Sequence, residues 1–112
     1  MRIRPRFKFW FVCEDEEYVF GLGTMSLLVE IERLGSISAA ARELGMSNRY
    51  ALERITIVEK RLGRQLVDRT RGGVGRGGAK LTAFGYELLA VYHDMEDSLN
   101  QLTKRYADLS DR

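Results

Sequence analysis

Ser36-Ile37-Ser38-Ala39-Ala40-Ala41-Arg42-Glu43-Leu44-Gly45-Met46-Ser47-Asn48-Arg49-Tyr50 is the stretch that decides how this chain folds. Ser36 or Ser38 can cap a short helix holding the alanine triplet and Leu44, because a serine hydroxyl accepts from a first-turn N–H. Gly45 ends that helix, and Ser47 or Asn48 opens the next. Ala51, Ile55, Val58 and Leu62 recur at three-to-four spacing as its buried stripe, and Gly63 closes it. Small side chains at a helix crossing and a corner residue tolerant of positive φ are what two steeply crossing helices require. The stretch reads as a helix-turn-helix.

Working outward, Thr24 can cap a preceding helix with Leu27, Leu28, Ile31 and Leu34 on one side and Gly35 at its end, giving three helices within 24–63. Further upstream, Ile3, Phe7, Phe9, Phe11 and Cys13 alternate with Arg2, Arg4, Arg6 and Lys8, the period of a half-buried strand. Glu14–Glu17 forms the turn and Tyr18-Val19-Phe20 the return, a hairpin within 1–23. Downstream, Gln65–Thr70 reads as a strand, Arg71–Lys80 as a flexible basic loop, and Lys80-Leu81-Thr82 as the returning strand of a wing over 64–82.

From Thr82 a long helix follows, with Leu88, Tyr92, Met95, Leu99, Leu102, Tyr106 and Leu109 stepping by four and three. That seam is roughly 33 Å long, more than one small domain covers by itself, so 83–109 is expected to dimerise. The expected fold is mostly α with small β elements: a winged helix-turn-helix with an N-terminal β-hairpin and a long C-terminal dimerisation helix, one domain over 1–112.

Length and composition agree. A chain of 112 residues, 45% hydrophobic and 30% charged, has the makeup of one globular domain. Its net charge of +2 hides segregation: residues 1–12 carry +4, 13–46 carry −5, 47–80 carry +6 and 81–112 carry −3. A basic middle between acidic flanks suits an anionic partner on one face. The single Cys13 calls for no oxidising compartment. The apolar run Phe9–Cys13 is too short to span a bilayer, and the acidic tetrad ends it too early for a signal peptide. A cytoplasmic protein without membrane contact is expected.

With Ala51, Ile55 and Val58 turned inward, Ser47, Asn48, Arg49, Tyr50, Glu53 and Arg54 form the exposed side or first turn of the third helix. Such a helix end reaches base edges in a major groove, where Arg bonds guanine, Asn pairs with adenine, and Ser or Tyr holds phosphate. Ser36 and Ser38 at the start of the second helix would also contact DNA, and Arg69, Arg71, Arg76 and Lys80 suit a wing that tracks phosphates or enters a minor groove. Gly73-x-Gly75-x-x-Gly78 matches a dinucleotide fingerprint literally but lacks a helix opening at its end, and Lys80 falls one place late for a phosphate-binding loop. His93 has no second ligand at metal spacing, Cys13 reads as a packed apolar residue, and Glu14–Glu17 as a solvated turn. No catalytic set, metal site or cofactor is expected.

Gly35-Ser36-Ile37-Ser38-Ala39-Ala40-Ala41, Leu44-Gly45-Met46-Ser47, Glu59 with Leu62-Gly63, Leu66-Val67-Asp68-Arg69 and Leu81-Thr82 with Gly85 resemble the DNA-binding domain of LysR-type regulators. The insert Gly72–Thr82 and the aromatic N-terminal hairpin resemble more closely the N-terminal domain of molybdate-responsive regulators of the ModE type. The resemblance runs from about Phe7 to Tyr92 and implies a winged helix-turn-helix that binds operator DNA as a dimer. Where ModE-type recognition helices often carry Tyr and, four residues on, Trp, this chain has Asn48 and Leu52, so base preference does not carry over. The oxyanion-binding domains of those regulators do not follow, so molybdate sensing is not expected and any effector would act through a separate protein.

The expected function is sequence-specific duplex DNA binding by a homodimer on a palindromic operator, for transcription regulation and not enzymatic catalysis. A winged-helix protein–protein adaptor working through the heptad helix is the alternative.

Overall fold

The computed structural model describes residues 2–72 and 76–109, and at 70–72, 76 and 77 the backbone alone. In chain order the elements are β1 (Phe11–Val12), β2 (Tyr18–Phe20), α1 (Leu22–Leu34), α2 (Ile37–Glu43), α3 (Asn48–Leu62), β3 (Val67–Gly72), β4 (Arg76–Leu81) and α4 (Ala83–Lys104). Helices α1 to α3 enclose the core: Leu27, Leu28 and Ile31 meet Ala40, Ala41, Ala51, Ile55 and Val58, all sealed from solvent. Ser36 caps α2 by accepting from Ala39 N–H at 2.9 Å, and Ser47 caps α3 by accepting from Tyr50 N–H at 3.0 Å. Gly45 turns the corner at φ 72°, a conformation that a side chain would strain.

Helix α1 begins earlier than the sequence suggests. Gly21 stands at its N-cap without a side-chain cap, and Thr24, expected as the cap, is buried in the first turn with its hydroxyl unpartnered. The wing departs too. β3 and β4 pair antiparallel from Val67↔Leu81 to Gly72↔Arg76, so the described part of the segment expected as a loop is largely ladder, and Gln65 and Thr82 lie outside the strands.

The wing's base is tied to the helices by backbone groups. Ala79 N–H donates to the Gly35 carbonyl (2.9 Å) and Thr82 N–H to the Leu66 carbonyl (3.0 Å). Thr82 also caps α4 through Gly85 N–H at 3.0 Å. A methyl at Gly85 would collide with the Leu66 carbonyl oxygen, so this glycine permits α4 to cross the wing's root.

At the N-terminus only Phe11 and Val12 pair with the return strand. Residues before them stay extended and keep the alternation, Phe7 and Phe9 half-buried while Arg2, Arg4, Arg6 and Lys8 are exposed. This segment lies along α4: Phe9 stacks on Tyr92 with centroids 4.8 Å apart, and Leu109 N–H donates to the Ile3 carbonyl at 2.8 Å. The expected seam is thereby divided. Tyr92 is buried against its own chain, and burial pushes its hydroxyl pKa above the ordinary range, helped by Glu96 and Tyr18. Met95, Leu102 and Tyr106 stay exposed, as does Val91, which the heptad reading leaves out. Helix α4 stops at Lys104, short of the expected 109. Among the described residues no helix is long and apolar enough to cross a membrane.

Candidate nucleic-acid interface

The apolar stripe Ala51, Ile55 and Val58 sinks α3 against α1 and α2, and a helix so fixed must turn its opposite face outward. Ser47, Asn48, Arg49 and Tyr50, at its N-terminus, are all exposed, and Glu53 follows one turn on. Arg49 Nε donates to Glu53 Oε1 at 3.2 Å, an exposed pair one helical turn apart. Thr56 and Lys60 continue this face and are also exposed. The sequence reading stops at Arg54, although the same three-to-four spacing from Arg49 and Glu53 points to both.

Arg54 departs from the expected face. It is half-buried on the flank of α3 toward the N-terminal hairpin, its Nη2 3.5 Å from the Tyr18 hydroxyl and its Cζ 6.0 Å from the Tyr18 ring centroid. About two turns on, Arg61 donates to Glu17 Oε2 at 2.8 Å. Glu17, and after it Cys13, hold the Arg61 guanidinium above its ordinary pKa. The free Cys13 is half-buried against the core.

The other flank of α3 meets the wing through Glu59. Its Oε2 accepts from Leu66 N–H at 2.8 Å and Val67 N–H at 3.1 Å, and its Oε1 lies 3.8 Å from the Arg69 guanidinium. One carboxylate therefore sets the wing's origin relative to α3. Arg69 and Lys80 are exposed on the wing, while the side chains of Arg71 and Arg76, and Gly73 and Gly75 of the glycine pattern, lie outside the described residues. On α2, the Ser36 hydroxyl is 3.2 Å from that of Ser38, so both stand at one helix start.

Ser47, Asn48, Arg49 and Tyr50 are thus exposed together at the N-terminal turn of α3, with Glu53 one turn on, while Arg54 sits on the hairpin flank. His93 is exposed on α4, and among the described residues no three His, Cys, Asp or Glu side chains group as metal ligands.

A core of three helices with a fixed helix-turn-helix corner and a two-stranded wing braced on the third helix defines a winged helix-turn-helix. The family model described as bacterial regulatory helix-turn-helix protein, lysR family, matches residues 22–86, and the chain belongs to that family. "Molybdenum-pterin-binding protein MopB" of Rhodobacter capsulatus is 37% identical over 86 residues, 77% of this chain and 32% of the relative. "DNA-binding transcriptional dual regulator ModE" of Escherichia coli K12 is 39% identical over 85 residues, 76% of this chain and 31% of the relative. The chain spans about a third of the length of these curated relatives.

Among solved structures, the CbnR_DBD–DNA complex matches with TM-score 0.59 and 22% identity over 74% of this chain and 90% of that one. The BenM_DBD/benA site 1 DNA complex matches with TM-score 0.58 and 21% identity over 77% and 91%. These two likenesses establish the fold. The ModE-type resemblance read from the motifs holds, and the family is one of regulators rather than enzymes.

Proposed function

We propose that the chain is a duplex-DNA-binding transcription regulator acting as a homodimer. The observation that carries this reading is the exposed first turn of α3, Ser47 to Tyr50, standing clear of a helix whose inner face is fully buried. Base edges would be read by Asn48 and Arg49, with Tyr50 and Ser47 on phosphate, and Glu53, which pairs with Arg49, would accept from cytosine once that exposed pair opens. Arg69, Arg71, Arg76 and Lys80 of the wing, with Ser36 and Ser38, would hold phosphates on either side. The relative from Escherichia coli is named for DNA binding, and the two solved neighbours are DNA complexes. The 1–112 region would act as a DNA-binding domain in the cytoplasm, needing no cofactor to bind duplex.

Selection of bound sequences from random duplexes tests the reading directly, and a palindromic product would support the dimer. Arg49→Ala is expected to lose about 1–3 kcal/mol on the selected site and less on random duplex. Equal losses on both would make Arg49 a phosphate contact.

The dimer would form on the stripe Leu88, Val91, Met95 and Leu102, with Tyr106 just past the helix end, turned away from the Tyr92 direction by roughly 70° on average at 100° per residue. It leaves Tyr92 to its own chain and takes Val91 in its place. Leu102→Asp puts a charge into this stripe, where its desolvation is costly. Sedimentation equilibrium should find the variant monomeric and the parent dimeric, and a parent monomeric at high micromolar concentration would refute the dimer.

A further inference from the structure

The recognition helix has a neighbour on each flank, and the reading above uses only the wing. On the opposite flank stands the N-terminal hairpin, whose last strand buries Val19 and Phe20 in the core while Tyr18 remains nearly half exposed beside α3. An exposed tyrosine at a fixed point of a strand is a rigid post: its backbone is anchored by its neighbours, and only two side-chain angles remain. Its hydroxyl and one ring edge lie over Gly21, 3.4 and 3.7 Å from where a Cβ on that residue would be, which is ordinary contact distance.

What the post meets is Arg54. The guanidinium is within 3.5 Å of the Tyr18 hydroxyl and its carbon lies 6.0 Å from the ring centroid, at the outer limit of a cation–π contact. No ion pair of Arg54 with a carboxylate occurs among the described residues, whereas Arg33, Arg49, Arg61 and Arg69 each have one. A neutral aromatic holds a guanidinium in place without neutralising its charge, which a carboxylate would do. Both contacts are long, so the cation is oriented yet remains free to move onto an anion.

We propose that Tyr18 is a positioning residue for Arg54, holding its guanidinium on the hairpin flank of α3 for a phosphate of the bound duplex. The hairpin then serves the interface on the side opposite the wing. This rests on the DNA-binding reading given above, and it moves Arg54 from base contact to backbone contact.

A double-mutant cycle on the full chain tests it, with binding to a mixed-sequence duplex of about 30 bp followed by fluorescence anisotropy over a salt series. Arg54→Ala should weaken binding several-fold and lower the salt slope by about one unit. Tyr18→Ala should cost a smaller factor at unchanged slope, and that factor should disappear when Arg54 is already alanine. Tyr18→Phe, which keeps the ring and removes the hydroxyl, should fall between parent and Tyr18→Ala, with an unchanged thermal midpoint showing that the hairpin is intact.

Losses that multiply in the double variant would overturn the positioning role, as would an unchanged slope for Arg54→Ala, and both leave the DNA reading standing. A parent chain that binds no duplex at low salt would overturn the DNA reading and the Tyr18 assignment together.

Discussion

Two antiparallel hairpins flank α3, and they are fastened by opposite means. The N-terminal one is held by apolar side chains: Val19 and Phe20 are buried, and Phe11 stacks on Phe20 with centroids 4.7 Å apart. Its polar ties to α3, Tyr18 with Arg54 and Glu17 with Arg61, are exposed side-chain pairs. The wing also buries apolar residues at its root, Leu66, Val67, Ala79 and Leu81, but its polar ties run through backbone N–H groups to the Glu59 carboxylate and the Gly35 carbonyl. A backbone tie fixes a strand's position without using its side chains, although Arg69 also reaches Glu59 at 3.8 Å. A close ionic tie such as Glu17 with Arg61 neutralises the cation it uses, whereas the long Tyr18 contact leaves the Arg54 charge in place.

The largest expected effect tests the apolar half of that contrast. Phe20→Ala removes a ring that is 2% exposed and should destabilise the chain by about 3–5 kcal/mol, read from the urea midpoint. A loss below about 1 kcal/mol would mean that the hairpin is not part of the cooperative core.

The wing is tested at Glu59, where two substitutions separate anchorage from charge. Both wing N–H groups donate to the same carboxylate oxygen, so the amide oxygen of Glu59→Gln can replace it. Glu59→Ala leaves both N–H groups without that acceptor and should cost about 1–3 kcal/mol. Faster amide hydrogen exchange at Leu66 and Val67 in the alanine variant, and near-parent exchange in the glutamine one, is the expected pattern. If the glutamine variant exchanged as fast as the alanine one, the negative charge and not the acceptor geometry would be the anchor.

What the sequence discloses follows the range of the interaction. Ser36 and Ser47 cap as their residue type suggests, and Ala51, Ile55 and Val58 are buried as their spacing requires, because caps and helical stripes are encoded within a few residues. The same rule fails at Thr24: Met25 N–H donates to the Gly21 carbonyl, so the helix starts where the buried return strand delivers the chain, not at the best capping side chain. Residues 3–10 show the period of a strand yet find no strand partner, since the return strand is three residues long and Pro5 has no N–H to offer. Their cover is α4, some eighty residues away in sequence, and no local pattern encodes that.

The same long-range contact explains the seam. Heptad spacing marks Tyr92 and Met95 alike, and only the fold shows that one is covered by Phe9 and the other is not. At the candidate interface the first turn of α3 was legible from its spacing. The flank position of Arg54 was not, because it depends on where a distant hairpin comes to rest.

The smallest expected effect concerns the hairpin's acidic turn. Glu17 and Arg61 approach to 2.8 Å, the shortest tie between hairpin and α3, and distance alone would make it the fastening. Yet the Glu17 side chain is 57% exposed and that of Arg61 35%, so water and salt compete for both charges, and ordering two long side chains costs entropy. Arg61 keeps its charge with or without the partner across the working pH range, so no protonation change adds to the effect. Glu17→Gln should therefore leave the urea midpoint within error of the parent, and whatever loss appears at low salt should vanish as salt is raised. A salt-independent loss comparable to that of Phe20→Ala would reverse the comparison, making the hairpin's hold on α3 ionic and leaving Val19 and Phe20 as passengers.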